Sequence, residues 1–357
     1  MIIQQQPLRT AIAAILARAG SEPAEATVVA DHLVDANLAG HDSHGIGMIP
    51  YYLRFLAKGL LCPNASLRPL KDHGALLAFD GERGYGQRMA REAMALAIER
   101  VATTGVVLMT LRNAHHIGRI GAYGEQAVAA GKVSLHFVNV LDHAPMVAPF
   151  GGRDARFGTN PVCIAVPPGT HTPATILDMA TSHIALGKVR VAMNKGETLA
   201  PGRLLDADGQ PTTDPRVMFR EPGGALLPTG EHKGYGLALM CELLAGGLSG
   251  GGTIQPANPR RGSIVNNMTT LVIDPAHLVD NDWLAREIDA AVAYAKASPP
   301  GDVAHPVMAA GDPERATATQ RRATGIPVDD TTWEEILRGA EDLGMAREDV
   351  KALAEGA

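Results

Sequence analysis

The sequence contains few cysteines, no long apolar run and no cluster of basic residues. Its three cysteines, Cys62, Cys163 and Cys241, are far apart, which excludes a disulfide framework and a zinc spacing and is typical of a reducing cytoplasm. No stretch reaches the roughly 18 apolar residues that a membrane helix needs, and the first ten residues lack the basic and apolar regions of a signal peptide. The net charge is −6 without a Lys/Arg-rich run, which argues against a nucleic-acid partner. We therefore expect a cytoplasmic protein that binds neither nucleic acid nor membranes.

The usual nucleotide and hydrolase signatures are also missing. No Gly-x-Gly-x-x-Gly follows a predicted strand, and the phosphate-binding Gly-x-x-x-x-Gly-Lys-Ser/Thr is absent, since Gly187-Lys188 is followed by Val189. Neither the Gly-x-Ser-x-Gly turn of serine hydrolases nor the His-Glu-x-x-His of zinc peptidases is present. His41 and His44 form a His-x-x-His, but without the carboxylate and third-ligand pattern of zinc helices. A bound nucleotide therefore needs a site outside the Rossmann pattern, and we predict no metal site.

Apolar periodicity predicts helices at both chain ends and alternating strands and helices between them. The first predicted helix carries one apolar stripe, formed by Leu8, Ile12, Ile15 and Leu16. Predicted strands cover 75–79, 106–111, 132–140, 162–167, 175–180 and 268–274, and predicted helices include 87–104, 234–246 and 276–297. Residues 332–335 are typical of a capping box, and the glycine-rich segments 148–158 and 245–252 are expected outside regular elements. We predict an α/β domain over 75–298 and a helical domain formed by 1–74 together with 299–357.

Four segments combine histidines, lysine or small polar residues with glycines. They are "GHDSHGIGMIPYY" (40–52), "RNAHHIGRIGAYG" (112–124), "FGTNPVCIAVP" with "LDMATS" (157–167 and 177–182) and "PTGEHKGYGLALM" (228–240). Backbone amides at a helix start, next to Lys233, can form an anion site. Neighbouring side chains point different ways, so His115 and His116 are not expected to do the same job. Turn glycines and an ordinary helix start remain alternative interpretations of these segments.

Taken in this order, the segments resemble the malate/L-lactate dehydrogenase family of the second type, which lacks a Rossmann fold. The matched motifs are Ser43-His44-Gly45, His116-Ile117-Gly118, Gly158-Thr159-Asn160-Pro161, Asp178-Met179-Ala180-Thr181 and Lys233-Gly234-Tyr235-Gly236. These motifs cover residues 40 to 240, and segment 310–330 resembles the C-terminal segment of the family. The motif sequences "HDSHGIGMIP" and "HHIGRIG" are most similar to those of the hydroxycarboxylate dehydrogenase B branch. The resemblance implies a mixed-sheet fold that binds NAD or NADP, in a homodimer with the active site near the interface.

The resemblance also implies roles for individual residues. His116 corresponds to the residue that gives and takes the proton, and Ser43 with His44 lies beside the nicotinamide. Cofactor contacts carry over to residues of four of the motifs, of the strand at 132–140 and of segment 310–330: His44, Asn139, Thr159, Asn160, Asp178, Met179, Ala180, Lys233, Gly234 and Gly311. The segment after the strand at 132–138 contacts the cofactor in relatives, and Asn139 is the best match to that contact. The loop that follows Asn139 is longer here than in relatives.

One position departs from the family pattern. Family members usually have an arginine three residues after the Ser-His-Gly glycine, where it suits a substrate carboxylate, but this chain has Met48. Arg119 lies three residues after His116, where many members have a small residue. Our hypothesis is that Arg119 binds the carboxylate and that Met48 leaves apolar room for a larger or aromatic 2-oxo acid. The alternative is that Arg119 is a surface or interface residue.

The resulting hypothesis is an NAD(P)-dependent dehydrogenase of 2-hydroxy acids, acting on substrates similar to malate or lactate, or on larger 2-oxo acids. A histidine with an ordinary pKa near ~6.5 can exchange a proton with the substrate oxygen near neutral pH, and His44 can polarise that oxygen. A cyclic ketimine reductase needs a similar proton donor and is the alternative within the family. A metal-dependent hydrolase using the histidines, and a noncatalytic binding protein, are alternatives of other classes. The sequence leaves open NAD versus NADP.

Overall fold

A seven-stranded sheet forms the centre of the computed structural model, which describes residues 1–302 and 304–356. The described strands are β1 (Ile2–Ile3), β2 (Arg68–His73), β3 (Leu76–Asp80), β4 (Val106–His115), β5 (Val133–Leu141), β6 (Val162–Val166), β7 (Thr175–Met179), β8 (Leu204–Leu205), β9 (Pro211–Thr212), β10 (Ala225–Leu226), β11 (Val265–Ile273) and β12 (Ile326–Pro327). The described helices are α1 (Gln5–Arg18), α2 (Pro23–Leu38), α3 (Ile49–Ala57), α4 (Gly86–Thr104), α5 (Gly121–Ala129), α6 (Leu186–Lys195), α7 (His232–Cys241), α8 (Asn281–Lys296), α9 (Asp312–Thr324), α10 (Asp330–Asp342) and α11 (Arg347–Glu355). No described helix is both long enough and apolar enough to cross a membrane.

The main sheet is mixed, as predicted. Its strand order is β2-β3-β4-β11-β5-β6-β7, and only the β3–β4 pair is parallel. Side chains alternate between its two faces. Val138 and Met268 point into the core beneath α4, whereas Thr269 and Asn139 bond to the segment 242–252 on the other face. This is the non-Rossmann α/β architecture that the sequence predicts.

A separate apolar core joins the two ends of the chain. Its buried residues come from α1, α2 and α3 at one end and from α9, α10 and α11 at the other, and the stripe of Leu8, Ile12, Ile15 and Leu16 is completely buried. Strands β1 and β12 pair across the same ends. A third, smaller core surrounds the three-stranded sheet β10-β8-β9, which the sequence pattern did not predict. The division into domains at residues 74 and 299 stays a prediction.

Three local predictions are wrong or incomplete. Helix α10 is capped by Asp329, whose carboxylate accepts from the amide of Thr332, so residues 332–335 lie within the helix and do not cap it. Residues Glu242–Leu248 form a π-helical turn that continues α7, so part of the glycine-rich segment 245–252 belongs to a helix. Strand β4 extends to His115, four residues beyond the predicted end. Strand β2 was missed.

Candidate active site

His44 and His116, 72 positions apart in the chain, meet at the boundary between the helical core and the main sheet. Nδ1 of His44 lies 3.1 Å from Nε2 of His116, and the rings stack with 5.3 Å between centroids. His44 is half-buried in a short 3₁₀ turn after α2, and His116 is buried directly after β4. The structure therefore brings together the two histidines that the sequence singled out.

The turn that carries His44 is held by α2. The side chain of Asn37 donates to the carboxylate of Asp42 at 2.6 Å and accepts from the amide of Ile46 at 2.9 Å. A Cβ at Gly45 would overlap the amide group of Asn37, so the glycine after His44 is required by this close approach. Ser43, next to His44, packs against Gly187 at the start of α6. Helix α2 thus fixes the backbone on both sides of His44.

The loop that carries His116 is held by α2 and β11. Nε2 of His32 accepts a hydrogen bond from the amide of Arg119 at 3.0 Å, and a Cβ at Gly118, whose φ is +75°, would overlap that imidazole. The amide of Ile117 donates to the side chain of Asn266 at 3.0 Å. Gly118 therefore combines a left-handed backbone with a close side-chain approach, and this explains the glycine of the His-x-Gly motif.

A buried hydrogen-bonded chain runs from His116 away from His44. The hydroxyl of Tyr52, in α3, lies 2.6 Å from Nδ1 of His116, and Nε2 of Gln87, in α4, donates to that hydroxyl at 2.6 Å. Both Tyr52 and Gln87 are completely buried. With the Gln87 amide in this orientation, Nδ1 is the described acceptor that remains for the tyrosine proton, so the proton of neutral His116 is assigned to Nε2. Sequence patterns did not identify Tyr52 or Gln87, which reach His116 only through tertiary packing.

Burial keeps these imidazoles neutral. It lowers the pKa of His44 to about 4, with His41 and Arg119 lowering that pKa further. Burial, followed by the neighbouring His44, lowers the pKa of His116 well below its ordinary value, and burial lowers the pKa of His32 to about 3. In the protein alone, the site at neutral pH is therefore a cluster of uncharged rings that can donate and accept protons.

His115 occupies a different environment from His116. It is completely buried against the rings of Phe55 and Tyr52, at 5.2 and 5.8 Å between centroids, and neither ring nitrogen has a described hydrogen-bond partner. Burial lowers its pKa to about 3. The two adjacent histidines thus have unlike surroundings, and only His116 contacts His44.

Arg119 and Met48 have different surroundings from those assumed in the sequence hypothesis. The guanidinium of Arg119 is 4% exposed, bonds to Glu125 at 2.6 Å and lies 3.8 Å from Asp178. It is therefore neither a surface residue nor unpaired. Met48 is 9% exposed and packs in the core of the helical part. Carboxylate binding by Arg119 and a wider pocket at Met48 both remain hypotheses, and neither gains support from these contacts.

The residues of the Asp-Met-Ala-Thr motif lie where β7 ends. Asp178 accepts from the amide of Gly121 at the start of α5, and burial raises its pKa although Arg119 is near. Met179 and Ala180 are partly exposed, and the carbonyl of Thr159 accepts from both the amide and the hydroxyl of Thr181. Two motifs that are distant in sequence are therefore joined side by side.

Asn139 and Asn160, two predicted cofactor contacts, bond to the buried carboxylate of Glu242. The side-chain amide of Asn139 donates to it at 3.0 Å and that of Asn160 at 2.9 Å. Both asparagines are completely buried, and Glu242 is 3% exposed. Their side chains are thus engaged inside the protein, so any cofactor contact at these positions involves the backbone.

The start of α7 has the features expected of a phosphate site. Lys233 is exposed and forms no ion pair with any described residue, and Gly234 approaches the carbonyl of Thr229 too closely for a side chain. An exposed lysine in the first turn of a helix suits the diphosphate of a dinucleotide. Gly311, with a φ of +90°, lies at the start of α9 beside the amide of Ile176 in β7. The residues present therefore fit a nicotinamide dinucleotide.

A further histidine of this region was missed by the sequence analysis. His143 follows β5 in a loop anchored by Asp142, which accepts from Arg83 at 2.7 Å and from Ser263 at 2.5 Å. Burial lowers the pKa of His143, and its charge is near enough to affect His116. No described group of three or more His, Cys, Asp or Glu side chains is arranged to hold a metal ion.

Comparisons with known proteins identify the family of the chain. Residues 3–337 match the family model for malate/L-lactate dehydrogenase. The chain is 47% identical over 352 residues to hydroxycarboxylate dehydrogenase B of Escherichia coli K12, covering 98% of this chain and 96% of that protein. It is 45% identical over 318 residues to an L-lactate dehydrogenase of Cupriavidus necator, covering 89% of this chain and 91% of that protein. The solved structure of a putative malate/lactate dehydrogenase from E. coli superposes with a TM-score of 0.95 at 46% identity, covering 100% of this chain and 99% of that one.

Proposed function

The chain belongs to the malate/L-lactate dehydrogenase family, and we propose that His116 is the general acid and base of its reaction. Membership makes the protein an oxidoreductase of 2-hydroxy and 2-oxo acids. The proposal adds a nicotinamide dinucleotide, NAD or NADP, as the partner in hydride transfer. The observation that carries it is the contact of His44 with His116 at 3.1 Å, backed by Tyr52.

The proton path follows from this contact. During reduction, the imidazolium of His116 gives the proton of Nε2 to the oxygen of the 2-oxo acid and becomes neutral, and during oxidation Nε2 of the neutral ring takes that proton back. An oxygen that replaces the contact between the two histidines is within reach of both rings, so His44 stabilises negative charge developing there. The nicotinamide, when bound, supplies or accepts the hydride. The protein's own contribution is position, proton exchange and a buried setting.

The contacts to the cofactor form the second part of the proposal. Lys233 and Gly234 at the start of α7 would hold the diphosphate, and Asp178, Met179 and Ala180 would line the cofactor where β7 ends. Ser43 and His44 would lie beside the nicotinamide, while Thr159, Asn139, Asn160 and Gly311 would contribute backbone contacts. The exposure of Lys233 and its lack of an ion pair with any described residue support this assignment.

We also propose that the protein is a cytoplasmic homodimer. Four large apolar side chains are exposed along α7 and the following π-helical turn: Leu239, Met240, Leu243 and Leu248, with exposed fractions of 36%, 45%, 51% and 56%. A contiguous apolar face of this kind is typical of a subunit interface. It adjoins the proposed diphosphate site, which supports an active site near the interface.

One set of assays tests the proposed function. The purified protein is given NADH and NADPH side by side with a panel of 2-oxo acids and one cyclic ketimine, with and without a chelator. We expect oxidation of a reduced nicotinamide with at least one 2-oxo acid, unaffected by chelation, and a loss of about 100-fold or more in kcat for His116→Ala. Preference for the ketimine would favour the imine-reductase alternative. Full turnover by His116→Ala would remove the proposed role of His116.

A further inference from the structure

The geometry points to Gln87 as a positioning residue whose side-chain amide selects which nitrogen of His116 carries the proton. The selection acts through Tyr52, which lies between the two side chains. This inference rests on the proposed function, because it matters only if His116 exchanges protons with substrate. It concerns a buried glutamine that no sequence motif marks.

In this structure the hydrogen bonds that join Gln87, Tyr52 and His116 run in one direction. Nε2 of Gln87 donates to the oxygen of Tyr52 at 2.6 Å, and the tyrosine proton is directed to Nδ1 of His116 at 2.6 Å. Neutral His116 then carries its proton on Nε2, 3.1 Å from Nδ1 of His44. A neutral ring in this form has no lone pair on Nε2, so it cannot accept the proton of a 2-hydroxy acid there.

The opposite direction gives the form that catalysis requires. If the amide turns by half a rotation, Oε1 of Gln87 accepts the proton of Tyr52, and the tyrosine oxygen accepts from Nδ1–H of His116. Nε2 is then free to take the substrate proton, and the resulting imidazolium keeps both of its hydrogen bonds. The hydroxyl and the amide rotate without breaking a bond, while neutral His116 releases the proton of Nε2 to solvent and takes one up from solvent at Nδ1, so its charge does not change.

Gln87 is suited to such a change because one end of its amide has no partner. Oε1 is buried and has no described hydrogen-bond partner, and the side chain is completely buried. In either orientation one end of the Gln87 amide bonds to Tyr52. No hydrogen bond from another described residue therefore fixes the orientation of the amide. An apolar side chain at position 87 could support only the inactive direction, since Tyr52 would then have only Nδ1 of His116 as acceptor.

The titratable groups that face this chain are few and mostly neutral. Around His116 they come from four elements: His32 of α2, His44 of the 3₁₀ turn, His115 of β4 and His143 of the loop after β5. Tyr85 and Tyr123 face Tyr52. Among the described residues, no charged carboxylate or ammonium contacts Tyr52, so the direction of its hydroxyl depends on Gln87 and His116.

The test combines ring-nitrogen NMR of His116 with kinetics of four variants. In Gln87→Glu, at a pH where the carboxyl is ionised, the carboxylate can only accept from Tyr52, so we expect the proton of His116 to move to Nδ1 and activity to persist. In Gln87→Met we expect the Nε2–H form and a loss of about 100-fold in kcat/KM. Tyr52→Phe combined with Gln87→Met removes the tyrosine proton that locks the ring, so this double variant should be more active than Gln87→Met alone. Gln6→Met, on the exposed face of α1, is the matched control.

Each outcome has a separate meaning. The same nitrogen signals in wild type, Gln87→Glu and Gln87→Met would overturn the inference, as would a double variant no more active than Gln87→Met. If Gln87→Glu fails to fold, the comparison of Gln87→Met with the double variant still decides. Full turnover by His116→Ala overturns the proposed role of His116, whereas loss of turnover in the Gln87 variants with unmoved nitrogen signals overturns only the role of Gln87.

Discussion

The carboxylate of Asp42 accepts two hydrogen bonds from the guanidinium of Arg321, at 2.7 and 3.1 Å. Asp42 begins the turn that carries His44, and Arg321 belongs to the last turn of α9, 279 positions later. The same helix holds β7 through Arg315, which donates to the carbonyl of Ala174 at 2.8 Å. Helix α9 therefore connects the turn of His44 with the strand that ends at the proposed cofactor site.

Removing this connection should lower turnover more than stability. In Arg321→Leu, Asp42 keeps only Asn37, so His44 is held less firmly, and a small displacement of a catalytic group can cost about 10-fold or more in kcat. We expect a nearly unchanged melting temperature, because Asp42 is half exposed. Steady-state kinetics and thermal melts measure both quantities. Arg322→Leu, exposed at the next position, is the control, and equal kinetics in the two variants would argue against the connection.

Arg119→Met separates two roles for this buried arginine. From its contacts with Asp178 and Glu125 we expect a loss of stability on the order of 3 kcal/mol, since the buried Asp178 loses the guanidinium that lies 3.8 Å away. We expect a KM for the oxo acid within about twofold of wild type. Urea denaturation and initial rates provide the two values. Glu125→Gln removes only the charge of the half-exposed carboxylate that pairs with Arg119, so it should lower the free energy of unfolding by less than about 1 kcal/mol. A rise in KM of about 10-fold or more would instead support binding of the substrate carboxylate by Arg119.

Acid should destabilise the protein below about pH 6.5. Burial lowers the pKa of both His115 and His136 to about 3, whereas the unfolded chain binds a proton at each near ~6.5. Between these values the unfolded state carries more protons, so the free energy of unfolding falls as the pH falls, by up to about 1.4 kcal/mol per pH unit and histidine.

His115→Phe should make that pH dependence shallower. It removes one of the buried imidazoles, and at pH 7 it should leave stability unchanged or higher, because neither nitrogen of His115 has a described partner. Chemical denaturation at several pH values measures the slope. His73→Phe, at an exposed position in β2, should leave the slope as in wild type. An unaltered slope in His115→Phe would contradict the assignment of His115 as a neutral buried group.

A charge on α7 should separate the proposed dimer. Met240→Asp places a carboxylate among exposed apolar side chains, so it would have to be buried unpaired at the interface. Light scattering after size exclusion should show a dimer for wild type and a monomer for this variant, with activity reduced. Leu278→Asp, 78% exposed and outside α7, should remain dimeric. A wild-type monomer that is fully active would refute the dimer proposal.

The sequence predicted the elements that depend on regular apolar spacing. The stripe of α1 and the apolar runs of β4, β5 and β11 are found at the expected positions, because burial on one or both faces produces a repeating pattern. Strand β2, "RPLKDH", is an edge strand with mostly exposed polar side chains, so it lacks such a pattern. The cap of α10 was misplaced because two acidic residues precede Thr332, and either can accept from the first turn.

The motifs identified the two histidines of the site but not the residues that hold them. His44 and His116 stand beside glycines in short, unusual segments, which made them visible in the sequence. Tyr52, Gln87 and His32 lie in ordinary helical sequence, and only the packing of α2, α3 and α4 brings them to the site. Asn139 was predicted as a cofactor contact, and its bond to Glu242 depends on a π-helical turn that local sequence does not indicate.

Helix α2 contacts both loops of the site, through Asn37 on the turn of His44 and His32 on the loop of His116. The positions of His44 and His116 are therefore both fixed relative to the same helix. We expect a tilt of α2 to move both loops in the same direction and so to leave the spacing between the two rings unchanged. Engineering of substrate preference can accordingly alter α6 or the loop after β5 while α2 preserves the alignment of His44 with His116.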